Sequence, residues 1–110
     1  MNTMFGIREI DVHEFNNLKQ DSEVVLVDVR TEAEIQRGGI DGAMHVPLYL
    51  LPMKSEEMCK ERPTVIYCHS GARSAQACAF MASKGFDNVF NLRGGILAWV
   101  GSGNSLGSIV

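Results

Sequence analysis

The sequence predicts an α/β domain, a mainly parallel sheet covered by helices on both faces. Three observations carry that expectation. Short apolar runs rich in β-branched residues, VVLVDV at 24–29 and TVIYC at 64–68, have the unbroken apolar character of strands buried on both sides. Between them lie stretches with helix-start signals and helical spacing, so strands and helices alternate along the chain. The chain has 110 residues, 45% of them hydrophobic, enough for one core without disulfides or metals. A single domain is expected over residues 1–100, followed by a loosely ordered Gly- and Ser-rich tail over 101–110.

Each element has its own signal. Asp11 followed by Glu14 has the form of a capping box, and Phe15 and Leu18 follow at helical spacing, which predicts a helix over 11–19. The run 24–29 is the first strand, with Asp28 near its carboxyl end. Thr31 and Glu34 repeat the capping-box spacing and open a short helix that Gly38 and Gly39 stop. A second short strand over 43–46 ends at Pro47, and a helix is expected over 55–61. The strand 64–68 follows, and a loop begins at Cys68. From Ser74 to Lys84, Ala75, Cys78, Ala79 and Ala82 fall at i, i+3, i+4 and i+7, a helix packed hard on the sheet. Gly85 is a natural stop, 88–91 a short strand, and 96–100 a last helical turn or two after Gly94 and Gly95.

Composition excludes several partners. The formal net charge is −3 and the ten Lys and Arg residues are scattered, so nucleic acid is not expected. No apolar stretch approaches the roughly 20 residues of a membrane helix. The opening MNTMFGIREID lacks the basic start and apolar middle of a signal peptide, and the expected setting is cytoplasmic. Cys59, Cys68 and Cys78 stand nine and ten residues apart, which fits neither a disulfide framework nor zinc-ligand spacing. Free thiols, no metal and no cofactor are expected.

Cys68 stands where chemistry is placed in such folds, outside the carboxyl end of a strand and just before a helix. The small loop His69, Ser70, Gly71, Ala72 can curl around the sulfur so that its N–H groups form an anion-binding nest. The following helix adds roughly half a unit of positive charge at its N-terminus. Thiols in such places titrate at roughly 3.5–7.5 rather than about 8.5. Gly71 supplies unusual backbone angles, and the planar fork of Arg73 suits either an oxyanion or the loop carbonyls. The plainer reading of Cys68 is a buried small hydrophobe at a strand end. Cys78, on the helix stripe, reads as core, and Cys59, in EEMCKERP, as a partly exposed thiol.

The stretch VIYCHSGARSAQACAFMASKGFDNVFNLRGGILAW, 65–99, resembles the catalytic half of a single-domain rhodanese. VDVR at 27–30, Glu34 and GGIDGAMHVP at 38–47 resemble that family's N-terminal signatures in the same order. The resemblance implies a five-stranded, mainly parallel sheet with helices on both faces and a cysteine that carries sulfur as a persulfide. Cys68 matches the catalytic cysteine, and His69, Ser70, Gly71, Ala72 and Arg73 match the cradle, with Ser74 opening the next helix. The family often has Arg or Lys where this chain has His69, and often histidine where it has Gly39.

The implied activity is a thiosulfate sulfurtransferase. Its partners are a small anionic sulfur donor and a thiol or cyanide acceptor, or a sulfur-accepting protein. Two other readings compete. A cysteine-dependent phosphatase places arginine six positions after the cysteine, whereas Arg73 is five after Cys68 and Ser74 occupies the sixth. A non-catalytic binding module is the other, against which Cys68 and Arg73 both argue. Asp28 and Arg30 are expected as supporting residues, more in keeping with a structural ion pair than with direct chemistry. His45 reads as a hydrogen-bonded structural histidine, and Trp99 as packing the last helix, its indole needing a partner if buried.

Overall fold

Alternation of β-branched runs with capped helices resolves, in the computed structural model, into a twisted sheet with helices on each side; the structure describes residues 2–4 and 6–109. The chain runs β1 (Asn2–Met4), β2 (Ile7–Ile10), α1 (Val12–Asp21), β3 (Val25–Asp28), α2 (Glu32–Ile35) and β4 (Met44–His45). It continues through a 3-10 turn (Leu48–Leu50), α3 (Leu51–Lys54), a second 3-10 turn (Ser55–Glu57), β5 (Thr64–Tyr67), α4 (Ala72–Ser83), β6 (Val89–Leu92) and α5 (Gly95–Gly101). Strand order is β1-β2-β6-β5-β3-β4. The five strands β2, β6, β5, β3 and β4 are parallel, as the resemblance implied, and β1 adds an antiparallel edge to β2.

Because side chains alternate along a strand, each central strand feeds two cores. Val65 and Tyr67 join Leu26, Phe90, Leu92, Phe15, Ile96 and Trp99 on the face covered by α1 and α5. Ile66 and Cys68 join Val27, Val29, Leu51, Ala77, Cys78 and Met81 on the face covered by α3 and α4. Trp99 meets Phe15 edge-on at 5.9 Å, and its indole N–H donates to the Ser105 carbonyl at 3.1 Å. The link from β3 leads to β4 on one side and the link from β5 leads to β6 on the other. Chain direction thus diverges between β3 and β5, and the crevice outside their carboxyl ends is the favoured ligand position of such sheets. Cys68 and Arg30 both emerge there.

Both capping boxes form: Asp11 with Glu14 on α1, and Thr31 with Glu34 on α2. His45 donates from Nε2 to the Arg30 carbonyl at 2.7 Å, the structural role expected of it. Other expectations need correction. The helix expected over 55–61 lies a turn earlier, at Leu51–Lys54, because Pro52 suits the first turn of a helix, where no amide donor is needed. The buried stripe of α4 is Ser74, Ala75, Ala77, Cys78 and Met81, so that Ala75 and Cys78 face the sheet as expected, whereas Ala79 and Ala82 are exposed. A run of alanines fits more than one face, and Met81 decides which one faces the sheet. The tail expected to be loosely ordered is tied down over residues 101–109. Gly39 and Gly107 exchange two backbone hydrogen bonds of 2.8 Å, and Asn104 donates to the Trp99 carbonyl.

Beneath this edge lies a buried ion pair. Asp28 (0% exposed) accepts from Arg30 (4% exposed) at Nε and Nη2, the latter at 2.8 Å, and also from the Arg30 amide. Arg30 Nη2 reaches on to the Gly38 carbonyl at 2.7 Å, and Tyr67 Oη accepts from the Ile40 amide at 2.9 Å. Among the described residues no helix is long and apolar enough to cross a membrane, and no group of three or more His, Cys, Asp or Glu is placed to hold a metal ion.

Removing one partner of a buried pair strands the other, at a cost of about 3–5 kcal/mol. Asp28→Ala is therefore expected to lower the unfolding free energy by that amount, read as a fall in the urea midpoint at unchanged slope. A loss below about 1 kcal/mol would show that the pair does not hold β3 to the 38–40 segment.

Candidate functional site

The chain leaves β5 at Tyr67 and must reverse into α4 within four residues, with Cys68 at the pivot. Gly71 makes the reversal, at φ +115°, a region where only glycine is unstrained, and it is the N-cap of α4. Unpaired amides at the start of α4 then converge on Cys68 Sγ, which is 1% exposed. Gly71 N donates to it at 3.1 Å and Ser74 N at 3.4 Å, and the Ser74 hydroxyl lies 3.4 Å away.

A second glycine turn braces the loop from behind. The first amides of α5 cap its carbonyls, Ile96 N donating to Cys68 O at 3.0 Å and Leu97 N to His69 O at 3.2 Å. Gly95, at φ +58°, permits that approach: a Cβ there would lie 2.5 Å from the Cys68 carbonyl oxygen. The Cys68 carbonyl faces α5 while its sulfur faces α4.

Burial pushes the Cys68 thiol up, but hydrogen bonds from the Ser74 hydroxyl and from the amides of Ser74, Gly71 and Ser70 outweigh it, leaving the thiol below its ordinary value. Cys78, one helical turn beyond Ser74 and without such donors, is pushed up by burial to about 12. Two buried cysteines on one face of the sheet are thus set apart by the Ser74 hydroxyl and the loop amides that face only one of them.

The structure gathers Cys68, Ser70, Gly71 and Ser74 around the sulfur and places the remaining residues differently. Arg73 does not reach the loop carbonyls: its fork closes on Glu34 of α2, at 2.6 and 2.8 Å. Hydrogen bonding to Arg73 holds the Glu34 carboxyl down at about 2. His69 is exposed and lines a cleft of about 470 Å³ with Arg30, Glu34, Arg37, Ile96 and Leu97. Ala72 is exposed on the first turn of α4. Asp28 and Arg30 lie behind the loop as a pair that does not hydrogen-bond the sulfur.

Sequence reasoning missed the floor of the site. Asn91, 0% exposed on β6, accepts from the Ser74 hydroxyl at 2.5 Å and donates to the Gly71 carbonyl and to Glu9 Oε2, each at 3.2 Å. Glu9 is its register partner on β2. The available signal was an amide side chain inside the apolar run VFNL, since a polar group buried in a central strand needs partners.

Comparison with known proteins places these features among relatives. The model of the Rhodanese-like domain matches residues 11–102. A sulfurtransferase of Allochromatium vinosum is 48% identical over 98 residues, covering 88% of this chain and 92% of that protein. The thiosulfate sulfurtransferase GlpE of Shewanella oneidensis is 29% identical over 96 residues, covering 87% and 95%. Among solved structures, a rhodanese-like domain protein from Staphylococcus aureus superposes with a TM-score of 0.82 at 30% identity, covering 94% of this chain and all of that one.

Two outcomes are expected of this geometry. Iodoacetamide labelling read by peptide mass should modify Cys68 along a pH curve with its midpoint below the ordinary thiol value, and leave Cys78 unlabelled at neutral pH; equal labelling of the two would contradict the amide cradle. The Glu34 carboxyl is depressed, so its pairing contributes stability above the ordinary value of 4.5 that is lost as pH falls towards about 2. Glu34→Gln should flatten that acid limb in urea midpoints measured between those two values, and an unchanged limb would assign it to other carboxylates.

Proposed function

The chain belongs to the rhodanese-like family, and on that premise we propose that it moves sulfane sulfur from an anionic donor such as thiosulfate to a thiol or cyanide acceptor, through a persulfide on Cys68. The observation that carries this reading is a buried sulfur facing amide N–H groups at 3.1 and 3.4 Å, with its thiol held below the ordinary value. That arrangement favours a preformed thiolate, so no general base is required.

In the first half-reaction the Cys68 thiolate attacks the outer sulfur of thiosulfate. A new S–S bond forms, the bond within the donor breaks, and sulfite leaves with the electron pair. In the second, cyanide or a thiolate attacks the terminal sulfur of the persulfide, and the bond to Cys68 breaks to return the thiolate. The amides of Ser70, Gly71 and Ser74 serve the sulfur as an oxyanion hole serves oxygen, by facing charge with fixed donors. His69 and Ser70 stand at the opening, and Arg73 braces the loop through Glu34.

Loop length supports sulfur over phosphoryl transfer, since four residues between Cys68 and Arg73 enclose a smaller volume than the phosphatase loop. The sulfurtransferase and thiosulfate sulfurtransferase named above support it as well. An acceptor that is itself a protein is the second reading, favoured by exposed Leu97, Val100 and Leu106 on the rim of the 470 Å³ cleft. A reducing, cytoplasmic setting suits a chain whose three cysteines are free.

Incubation with thiosulfate is expected to add one sulfur atom to Cys68 by intact mass, removable by cyanide. Cys68→Ser should gain none. An equal gain in that variant, or no gain in the parent, would reject the reading.

A further inference from the structure

Ser74 has one hydroxyl proton and two neighbours to receive it. Asn91 Oδ1 lies 2.5 Å from Ser74 Oγ, and Cys68 Sγ lies 3.4 Å from it. The Asn91 amide is not free to turn over, because its Nδ2 faces two acceptors, Glu9 Oε2 and the Gly71 carbonyl. Its oxygen must face Ser74, and a short bond to an amide oxygen outcompetes a long one to sulfur. With its proton committed, Ser74 turns a lone pair towards Cys68, where it can accept from the thiol S–H. Once the thiol loses its proton to solvent, the same lone pair faces a negative sulfur. The hydroxyl then gains by turning its proton across.

We propose that Asn91 is a positioning residue for Cys68: it holds the Ser74 hydroxyl proton while the sulfur is protonated and yields it when the sulfur carries charge, as thiolate or persulfide. The proton stays on Ser74 throughout; only its acceptor changes. Yielding it leaves Asn91 Oδ1 without a partner in a fully buried site, so part of what the hydroxyl gives the sulfur is taken back. The thiolate is therefore less stabilised than a free hydroxyl would make it, and a less stabilised thiolate is the better nucleophile. Through Nδ2 the same amide pins the Gly71 carbonyl and with it the turn that aims the Gly71 amide at the sulfur. Arg93 closes the far end of the network on Glu9, Nε to Oε1 at 3.5 Å.

The other ionisable groups on elements packed around the sulfur are Arg73 and Cys78 on α4, Asp28 and Arg30 at the end of β3, and Tyr67 and His69 on either side in the chain. Glu34 is reached through Arg73, and Glu9 and Arg93 through Asn91. All are retained in the variants that test the idea.

The proposal rests on Cys68 being the reacting atom of the proposed sulfur transfer. Alkylation reads the thiolate directly, so its outcome is separable from any failure of sulfur transfer. The test is the pH dependence of iodoacetamide labelling at Cys68 in the parent, Ser74→Ala, Asn91→Leu and the double variant. With Asn91 present, removing the hydroxyl is expected to shift the midpoint by only about 0.3 pH unit. In the Asn91→Leu background the hydroxyl has no other acceptor, and its removal should raise the midpoint by about one unit, roughly tenfold in thiolate at a given pH. Equal shifts in the two backgrounds would overturn the proposal. Should Asn91→Leu fail to fold, proton resonance in the parent and in Cys68→Ala decides. Below the Cys68 midpoint the Ser74 hydroxyl proton should be downfield and protected from exchange; it should move as Cys68 titrates and stay fixed in Cys68→Ala. A resonance that moves identically in both, or in neither, would overturn it.

Discussion

A sulfur that is to carry negative charge while buried must be surrounded by N–H donors, and that demand shapes the carboxyl edge of the sheet. Water cannot supply the donors at 1% exposure, so the backbone must. Unpaired amides are plentiful only where a helix begins, so α4 has to start beside the end of β5. The reversal this requires passes through φ +115°, which makes position 71 a glycine. The loop carbonyls then point the opposite way and need donors of their own, which the first turn of α5 supplies across the close approach at Gly95. Each step follows from the one before, and each can be traced to an orphaned hydrogen-bonding group.

Two ion pairs flank this arrangement and do different work. Asp28 and Arg30 are buried, and the desolvation of both charges is offset by a carboxylate that accepts from Arg30 Nε, Nη2 and its amide and by Nη2 reaching on to the Gly38 carbonyl. Arg73 and Glu34 are about one-third exposed, where solvent weakens the attraction, and their value lies in geometry. The bidentate fork ties the first turn of the cysteine helix to a helix 39 residues earlier in the chain. One pair fixes the sheet edge and the other fixes the loop's outer wall.

How much could be read from the chain alone depended on the range of the interactions involved. Capping boxes at Asp11 and Thr31, the apolar runs of β3 and β5, and the thiol loop after β5 are written within a few consecutive residues, and they were legible. The partner of Arg73 was not, because nothing local marks Glu34 as other than the cap of its own helix. The hairpin of β1 and β2 was missed because IREI carries too few apolar residues to stand out. The stripe of α4 was legible at Ala75 and Cys78 but not at Ala79 and Ala82, which are exposed, because alanine tolerates either side of a helix. Asn91 was legible only as an anomaly in VFNL, and its partners Ser74, Gly71 and Glu9 meet it only when the sheet is assembled.

Gly39 lies against the segment around Gly107 and Ile109. A side chain at position 39, where the family often has histidine, would meet Tyr67 Oη at 2.9 Å, Arg30 Nη2 at 3.0 Å and Ile109 Cδ1 at 3.1 Å. The place a side chain would fill is taken by Tyr67, Arg30 and Ile109, the last held there by the pairing of Gly107 with Gly39. The C-terminal residues are therefore a wall of the domain, one residue from the carbonyl that receives Arg30. A tag, fusion or truncation beginning near residue 105 alters that wall, whereas the same change at an untethered terminus would be silent.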